Sequence, residues 1–348
     1  SVCLFLLHGN VHDLIRSEER GKQTFVSLPE FLTNQVFGSW DTVFSYDLGR
    51  GLRVEAGSDA RRRQEMVEWA SSMLGNFNTW PRDPDKVLHV LEQVIQRNLI
   101  QEKADTRKRV AFLFEYAQYL VPSGGINMLA RGEASRLVRL ISWAQNPYIK
   151  RVNMAFCLIA NKMSELNDRL VQNPHVAAID IPLPDEPTRK VFVQHSLATA
   201  PGSEEVAESA GYLSVDSIAR MSSGLNLVNL NVLLSRTRDE FRTPQLAQFR
   251  ALKKGMIERQ CQGLVTFVEP KHTLDTVVGH DAAKERLRQD ARWISHGRLE
   301  TSPMGYLMCG PVGTGKTFLA QCYAGSIGIP CVTLGNFRSK YVGETEGN

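Results

Sequence analysis

The chain has 348 residues, of which 43% are hydrophobic and 22% charged, with 41 basic side chains against 37 acidic ones. This is ordinary globular composition, with apolar material for more than one core and a length that suggests about two domains at roughly 150 residues each. A net charge of +4 argues against nucleic-acid and membrane partners, and the apolar runs at 2–7 and 154–160 fall far short of the ~20 residues of a membrane span.

Residues 2–7 form a short apolar run ended by Gly9-Asn10, which reads as a buried strand. Residues 28–37 have helical spacing. Residues 42–46 and 52–55 read as strands around the turn Gly49-Arg50-Gly51. Ala60–Leu74 and 84–99 are amphipathic helices; the second carries Val87, Leu88, Leu91, Val94 and Ile95 on one stripe, with Asp83 as N-cap. Arg61-Arg62-Arg63 is expected on a solvated helix face. Val110–Phe114 is apolar throughout, the mark of a strand buried on both faces. A helix is predicted over 127–144, strands over 152–160 and 177–181, a loop over 182–187 and a helix over 188–197. Only helices follow, at 203–210, Val215–Met221 and Leu227–Phe241.

The pattern restarts near Phe267: a helix over 282–294, a strand over 305–308, a helix over Lys316–Ile327 and a strand over Cys331–Leu334. Six cysteines, Cys3, Cys157, Cys261, Cys309, Cys322 and Cys331, include no CxxC pair and read as thiols of a reducing, cytoplasmic setting. The chain starts at Ser1 and stops at Asn348 within what looks like a motif, so a fragment of a longer protein is expected.

Gly310-Pro311-Val312-Gly313-Thr314-Gly315-Lys316-Thr317 is a G-x4-G-K-[ST] sequence, expected by chance in roughly one chain of this length in 100. The glycines let successive backbone N–H groups turn inward around a phosphate. Lys316 would reach the β- and γ-phosphates of ATP, and the Thr317 hydroxyl would ligate Mg²⁺. The helix starting there places its positive end at the phosphates.

Further segments resemble the AAA+ ATPases. Leu274-Asp275-Thr276-Val277-Val278-Gly279 resembles the family's motif before its first helix, and the resemblance implies that Val278 and Gly279 cup the adenine. Ser339-Lys340-Tyr341-Val342-Gly343-Glu344 resembles the first pore loop of protein-remodelling members. By that likeness Lys340, Tyr341 and Val342 line a ring's channel and Tyr341 grips an unfolded polypeptide. Residues 110–120 resemble a Walker B strand in which Phe114 replaces the Mg²⁺-binding Asp and Glu115 keeps the place of the catalytic base. Asn161 resembles sensor 1, residues 181–185 with Arg189 resemble the segment that follows it, and Gly224 with the helix after it resembles the lid. No G-x4-G-K-[ST] precedes residue 310, and where the family has arginine fingers only Arg169 is close.

The likeness implies an α/β fold of two P-loop-type modules with parallel sheet, the first with a small helical lid and the second truncated. Residues 1–250 would be a degenerate AAA+ module (core about 1–200, lid about 201–242), 251–270 a linker, and 271–348 the N-terminal part of an active module. Its implied function is ATP hydrolysis coupled to remodelling of a protein substrate by a homo-oligomeric ring; the alternative is a nucleotide-gated assembly scaffold. The catalytic base is expected beyond residue 348, so the chain alone should hydrolyse ATP poorly.

Overall fold

The computed structural model describes residues 2–19, 21–57, 59–101, 107–125, 127, 129–198, 214–241, 253–256, 258, 265–268, 270, 272–295, 303–327 and 331–334. The chain divides into two compact units, Ser1–Pro244 and Gln245–Asn348.

The first unit opens with β1 (Leu4–Gly9), a hairpin of β2 (Leu14–Glu19) and β3 (Lys22–Ser27), and α1 (Leu28–Phe31), which runs into a π-helical turn at Leu32–Val36. Then come β4 (Thr42–Asp47), β5 (Gly51–Val54), α2 (Ala60–Leu74), α3 (Pro84–Ile100), β6 (Val110–Phe114), α4 (Arg131–Gln145), β7 (Met154–Ile159), the short α5 (Asp168–Val171), β8 (Val176–Ile181) and α6 (Glu186–Ala198). Helices α7 (Val215–Met221) and α8 (Leu227–Phe241) complete it; the helix expected over 203–210 lies outside the described residues.

Six strands form one sheet in the order β5-β4-β6-β7-β1-β8, parallel except for β5 against β4. The central strands β6 and β7 are continuous apolar runs, buried throughout, because both faces of the sheet's middle are covered. In register, Phe44, Phe112 and Phe156 line up across three strands with ring centroids 5.6 and 5.0 Å apart. Trp143 of α4 stacks on Phe156 at 5.2 Å, and Trp69 of α2 packs at the Phe44 end. Asp59 and Asp83 cap α2 and α3 through the N–H groups of Arg62 and Lys86, and the stripe Val87, Leu88, Leu91, Val94 and Ile95 is buried.

Three local expectations are corrected. Helix α4 starts at Arg131, not at 127, because the Ala130 N–H donates to the Glu133 carboxylate and closes a cap there. The hairpin β2–β3 stands where the sequence pattern shows no strand: Arg16, Glu18, Glu19 and Lys22 hide any apolar alternation, and the turn rests on Gly21 at φ 76°. Arg62 is not simply solvated. Its guanidinium donates to the carbonyls of Thr33 and Phe37, tying α2 to the turn after α1.

The second unit contains β9 (Val265–Val268), a 3-10 turn at Leu274–Thr276, α9 (Asp281–Ser295), α10 (Lys316–Ile327) and β10 (Cys331–Leu334). β10 pairs antiparallel with β9. Residues 305–308 form no strand. A strand exists through hydrogen bonds to a neighbour, and among the described residues β9 and β10 pair with each other instead. Leu274, Val277, Leu287 and Cys322 make this unit's small core, with Leu319 and Tyr323 against it.

Candidate nucleotide site

In the second unit the loop before α10 has the backbone its glycines allow. Gly310, Gly313 and Gly315 have φ of 155°, 86° and 80°. A Cβ at Gly313 or Gly315 would meet no atom within 4 Å, so glycine serves conformation there and leaves the loop open to an incoming group. Lys316, the first residue of α10, folds its ammonium over the loop and donates to the carbonyls of Gly310 at 2.9 Å and Pro311 at 2.5 Å. Thr314 donates to the Pro311 carbonyl at 2.9 Å. Thr317 follows in the first turn, exposed beside the loop. Inward-turning glycines, a helix N-terminus and a single ammonium form a donor set that fits a polyphosphate.

Two contacts hold this loop's surroundings. The Tyr306 hydroxyl donates to the Asp290 carboxylate at 2.7 Å and lies 3.0 Å from the Tyr323 hydroxyl, linking the approach to the loop with α9 and α10. Burial, then the hydrogen bonds to Tyr323 and Asp290, pushes the Tyr306 phenol up from its ordinary value. The segment 272–277 lies along α10: the Leu274 N–H donates to the Ser326 hydroxyl at 2.8 Å, and a Cβ on Gly325 would come within 2.3 Å of the His272 carbonyl oxygen. Sequence reading missed Gly325; a lone helical glycine was its signal.

The structure therefore brings Leu274 and Val277 against the later turns of the helix that carries Lys316. Leu274 and Val277 point into the core, Val278 is 94% exposed, and Gly279 has φ 78°. Lys340, Tyr341 and Val342 lie outside the described residues.

In the first unit, Phe114 is buried and packs edge-on against Tyr46, with centroids 6.4 Å apart. Glu115 is not a free carboxylate. It accepts from Arg53 at 2.9 Å and from Arg50 at 3.1 Å, and its side chain is 14% exposed. The same two arginines hold Asp47, at 2.8 and 2.7 Å. Burial works to raise the Asp47 carboxyl, but the Arg50 amide and the guanidiniums of Arg53 and Arg50 outweigh it and hold it below the ordinary carboxylate range. Asn161 is exposed just past β7, and its carbonyl accepts from the Gly9 N–H at 3.0 Å. A cavity of about 490 Å³ opens at this end of the sheet; Asp13, Glu30, Glu55 and Glu115 line it, with Arg50 and His12. A larger one, about 920 Å³, lies along β1, β7 and β8; its walls are mainly apolar and it holds none of the expected site residues.

No described helix is long and apolar enough to cross a membrane. Three family profiles match the chain: the N-terminal Rossmann-like domain of AAA+ chaperones over residues 1–182, the second helical domain of AAA+ chaperones over 187–262, and the ATPase family associated with various cellular activities (AAA) over 306–348. Among curated proteins, the ATP-dependent zinc metalloprotease FtsH 3 of Symbiobacterium thermophilum is 38% identical over 87 residues, 23% of this chain and 14% of its own length. The ATP-dependent zinc metalloprotease FtsH of Methylibium petroleiphilum is 42% identical over 65 residues, 17% of this chain and 10% of its own. The chloroplastic FTSH 6 of Oryza sativa is 38% identical over 74 residues, 19% and 11%. The chain thus spans 10–14% of the length of these relatives. With a mostly parallel sheet in the order β5-β4-β6-β7-β1-β8 and a match to the N-terminal Rossmann-like domain of AAA+ chaperones over residues 1–182, the chain belongs to the AAA+ ATPases of the chaperone type.

Proposed function

We propose that the intact protein binds Mg·ATP at Gly310–Thr317, hydrolyses it, and uses the cycle to remodel a protein substrate as a homo-oligomeric ring in the cytoplasm. The observation that carries this reading is the Lys316 ammonium held over the carbonyls of Gly310 and Pro311 by a loop with three left-turning glycines. An ammonium in that place exchanges neutral carbonyl oxygens for anionic β- and γ-phosphate oxygens, and charge-assisted hydrogen bonds are roughly twice as strong. The N–H groups of Gly313, Gly315 and the first turn of α10 bind the remaining oxygens, and the helix end favours their charge. Mg²⁺, when bound, would neutralise developing charge between the β- and γ-phosphates, and the Thr317 hydroxyl is the residue to hold it. By likeness to the family's motif, Val278 and Gly279 would contact the adenine.

In this reading residues 1–250 are a degenerate module, 251–270 a linker and 271–348 the start of the active one. Likeness to the family's pore loop supports Lys340, Tyr341 and Val342 as the substrate grip. Glu115 is a structural carboxylate in this reading: two guanidiniums neutralise it, and a general base must be free to accept a proton. Among the residues of this chain we assign no base for water attack, so the 348-residue chain should bind ATP and turn it over poorly.

The direct test is nucleotide titration of Lys316→Ala against the unaltered chain, followed by fluorescence. Loss of binding by about 100-fold or more is expected from removing a charged partner of the phosphates; unchanged affinity overturns the assignment. The alternative is a nucleotide-gated scaffold in which ATP controls assembly alone. Tyr341→Ala in the intact protein separates the two: continued hydrolysis with lost remodelling favours the ring machine.

A further inference from the structure

In an open parallel sheet, ligands bind outside the carboxyl ends of the strands, beside the point where strand order reverses. In the first unit that place belongs to the loop after β1, which lies between β7 and β8. The loop has few donors left for a phosphate. The N–H groups of Gly9, Asn10, Val11 and Asp13 donate to the carbonyls of Asn161, Ile181, Gly9 and Asn10. The chain then enters strand β2 rather than a helix, so no helix end faces the loop from its own continuation.

The N-terminus of α8, in the lid, does meet this loop, and it is filled by the chain itself. Asp13, 3% exposed, accepts from the N–H groups of Leu227 and Val228, each at 2.9 Å, one on each carboxylate oxygen. The Asn10 side-chain amide supports it at 2.7 Å. Asn226 takes the next donor: its side-chain oxygen accepts from the Asn229 N–H, and its carbonyl accepts the first intrahelical bond, from Leu230. The N–H groups of the first three helical residues, which have no partner within the helix, are thereby satisfied by side chains. Behind this turn Leu225, Leu227, Leu230, Leu233 and Leu234 are buried.

We propose that Asp13 is an internal anion that takes the place of a phosphate in the first unit. Its carboxylate pins the helical lid to the sheet without nucleotide, and Gly310–Thr317 is left as the chain's nucleotide site. The second clause rests on the function proposed above; the first does not.

Hydrogen exchange of the full chain, read by mass spectrometry, tests it. In a Lys316→Ala background, amides of 225–234 should exchange at the same slow rate with and without Mg·ATP. Asp13→Asn should speed their exchange by at least about tenfold, the loss expected for a charge-assisted pair, while β6 and β7 keep their protection. Asn10→Ala should give a smaller increase, and it decides the matter should Asp13→Asn disturb the whole unit. Slower lid exchange on adding Mg·ATP in the Lys316→Ala background overturns the proposal, as does a lid unmoved by both substitutions. Failure of the phosphate-loop reading shows separately, as absent ATP protection at 313–319 in the unaltered chain.

Discussion

Glu115 shows how one residue's partners decide its role. At the end of an apolar strand it looks like a base, yet Arg50 and Arg53 both bind it, and both also bind Asp47. Glu115→Gln should therefore lower first-unit stability by about 1–3 kcal/mol, read as a thermal midpoint lower by roughly 2–4 °C per kcal/mol. ATP turnover of the intact protein should not change; a collapse of turnover at constant midpoint would make Glu115 catalytic. Asp47 gives a pH test. Its carboxyl is held below its ordinary value in the fold, so its contribution is full above the unfolded value of about 3.9 and is lost as pH falls through the folded one. Thermal melts from pH 5 to pH 2 should show a shallower decline for Asp47→Asn than for the unaltered chain; parallel declines would contradict the network. The sequence offered Glu115 but not its arginines, because Arg50 and Arg53 lie more than 60 positions away and meet it only through the pairing of β5 with β4 and of β4 with β6.

At the scale of elements, legibility followed burial. Val110–Phe114 is fully buried, and its run of apolar residues marks it without any context. Ala60–Leu74 and Leu227–Phe241 were equally plain, because an amphipathic stripe survives in the sequence whatever packs on it. The β2–β3 hairpin was hidden for the opposite reason: its strands carry charge on exposed positions and gain their place from pairing. Residues 305–308 show the same dependence in reverse, since apolar character alone does not make a strand. The aromatic row across β4, β6 and β7 is the centre of the first unit's packing. Phe112→Ala, which empties its middle, should cost about 3–5 kcal/mol, measured by denaturant unfolding. A loss under about 1 kcal/mol would mean that Phe44 and Phe156 close the gap by collapse.

At the scale of the whole molecule, the two units differ in what one loop offers: Gly310–Thr317 carries the G-x4-G-K-[ST] sequence and the loop after β1 does not. Gly310–Thr317 was legible because its chemistry depends on residue types at fixed spacing within eight positions. The first unit's loop was legible only as a missing motif. That Asp13 caps α8 could not be read, because 214 positions separate it from Leu227 and the N–H groups of any helix N-terminus donate to whichever carboxylate is near. The measurement that tests the central claim most directly is calorimetric titration of the 348-residue chain with Mg·ATP, alongside Lys316→Ala. The account predicts one nucleotide per chain in the first and none in the second. Two nucleotides per chain, or binding that survives the loss of Lys316, would contradict it.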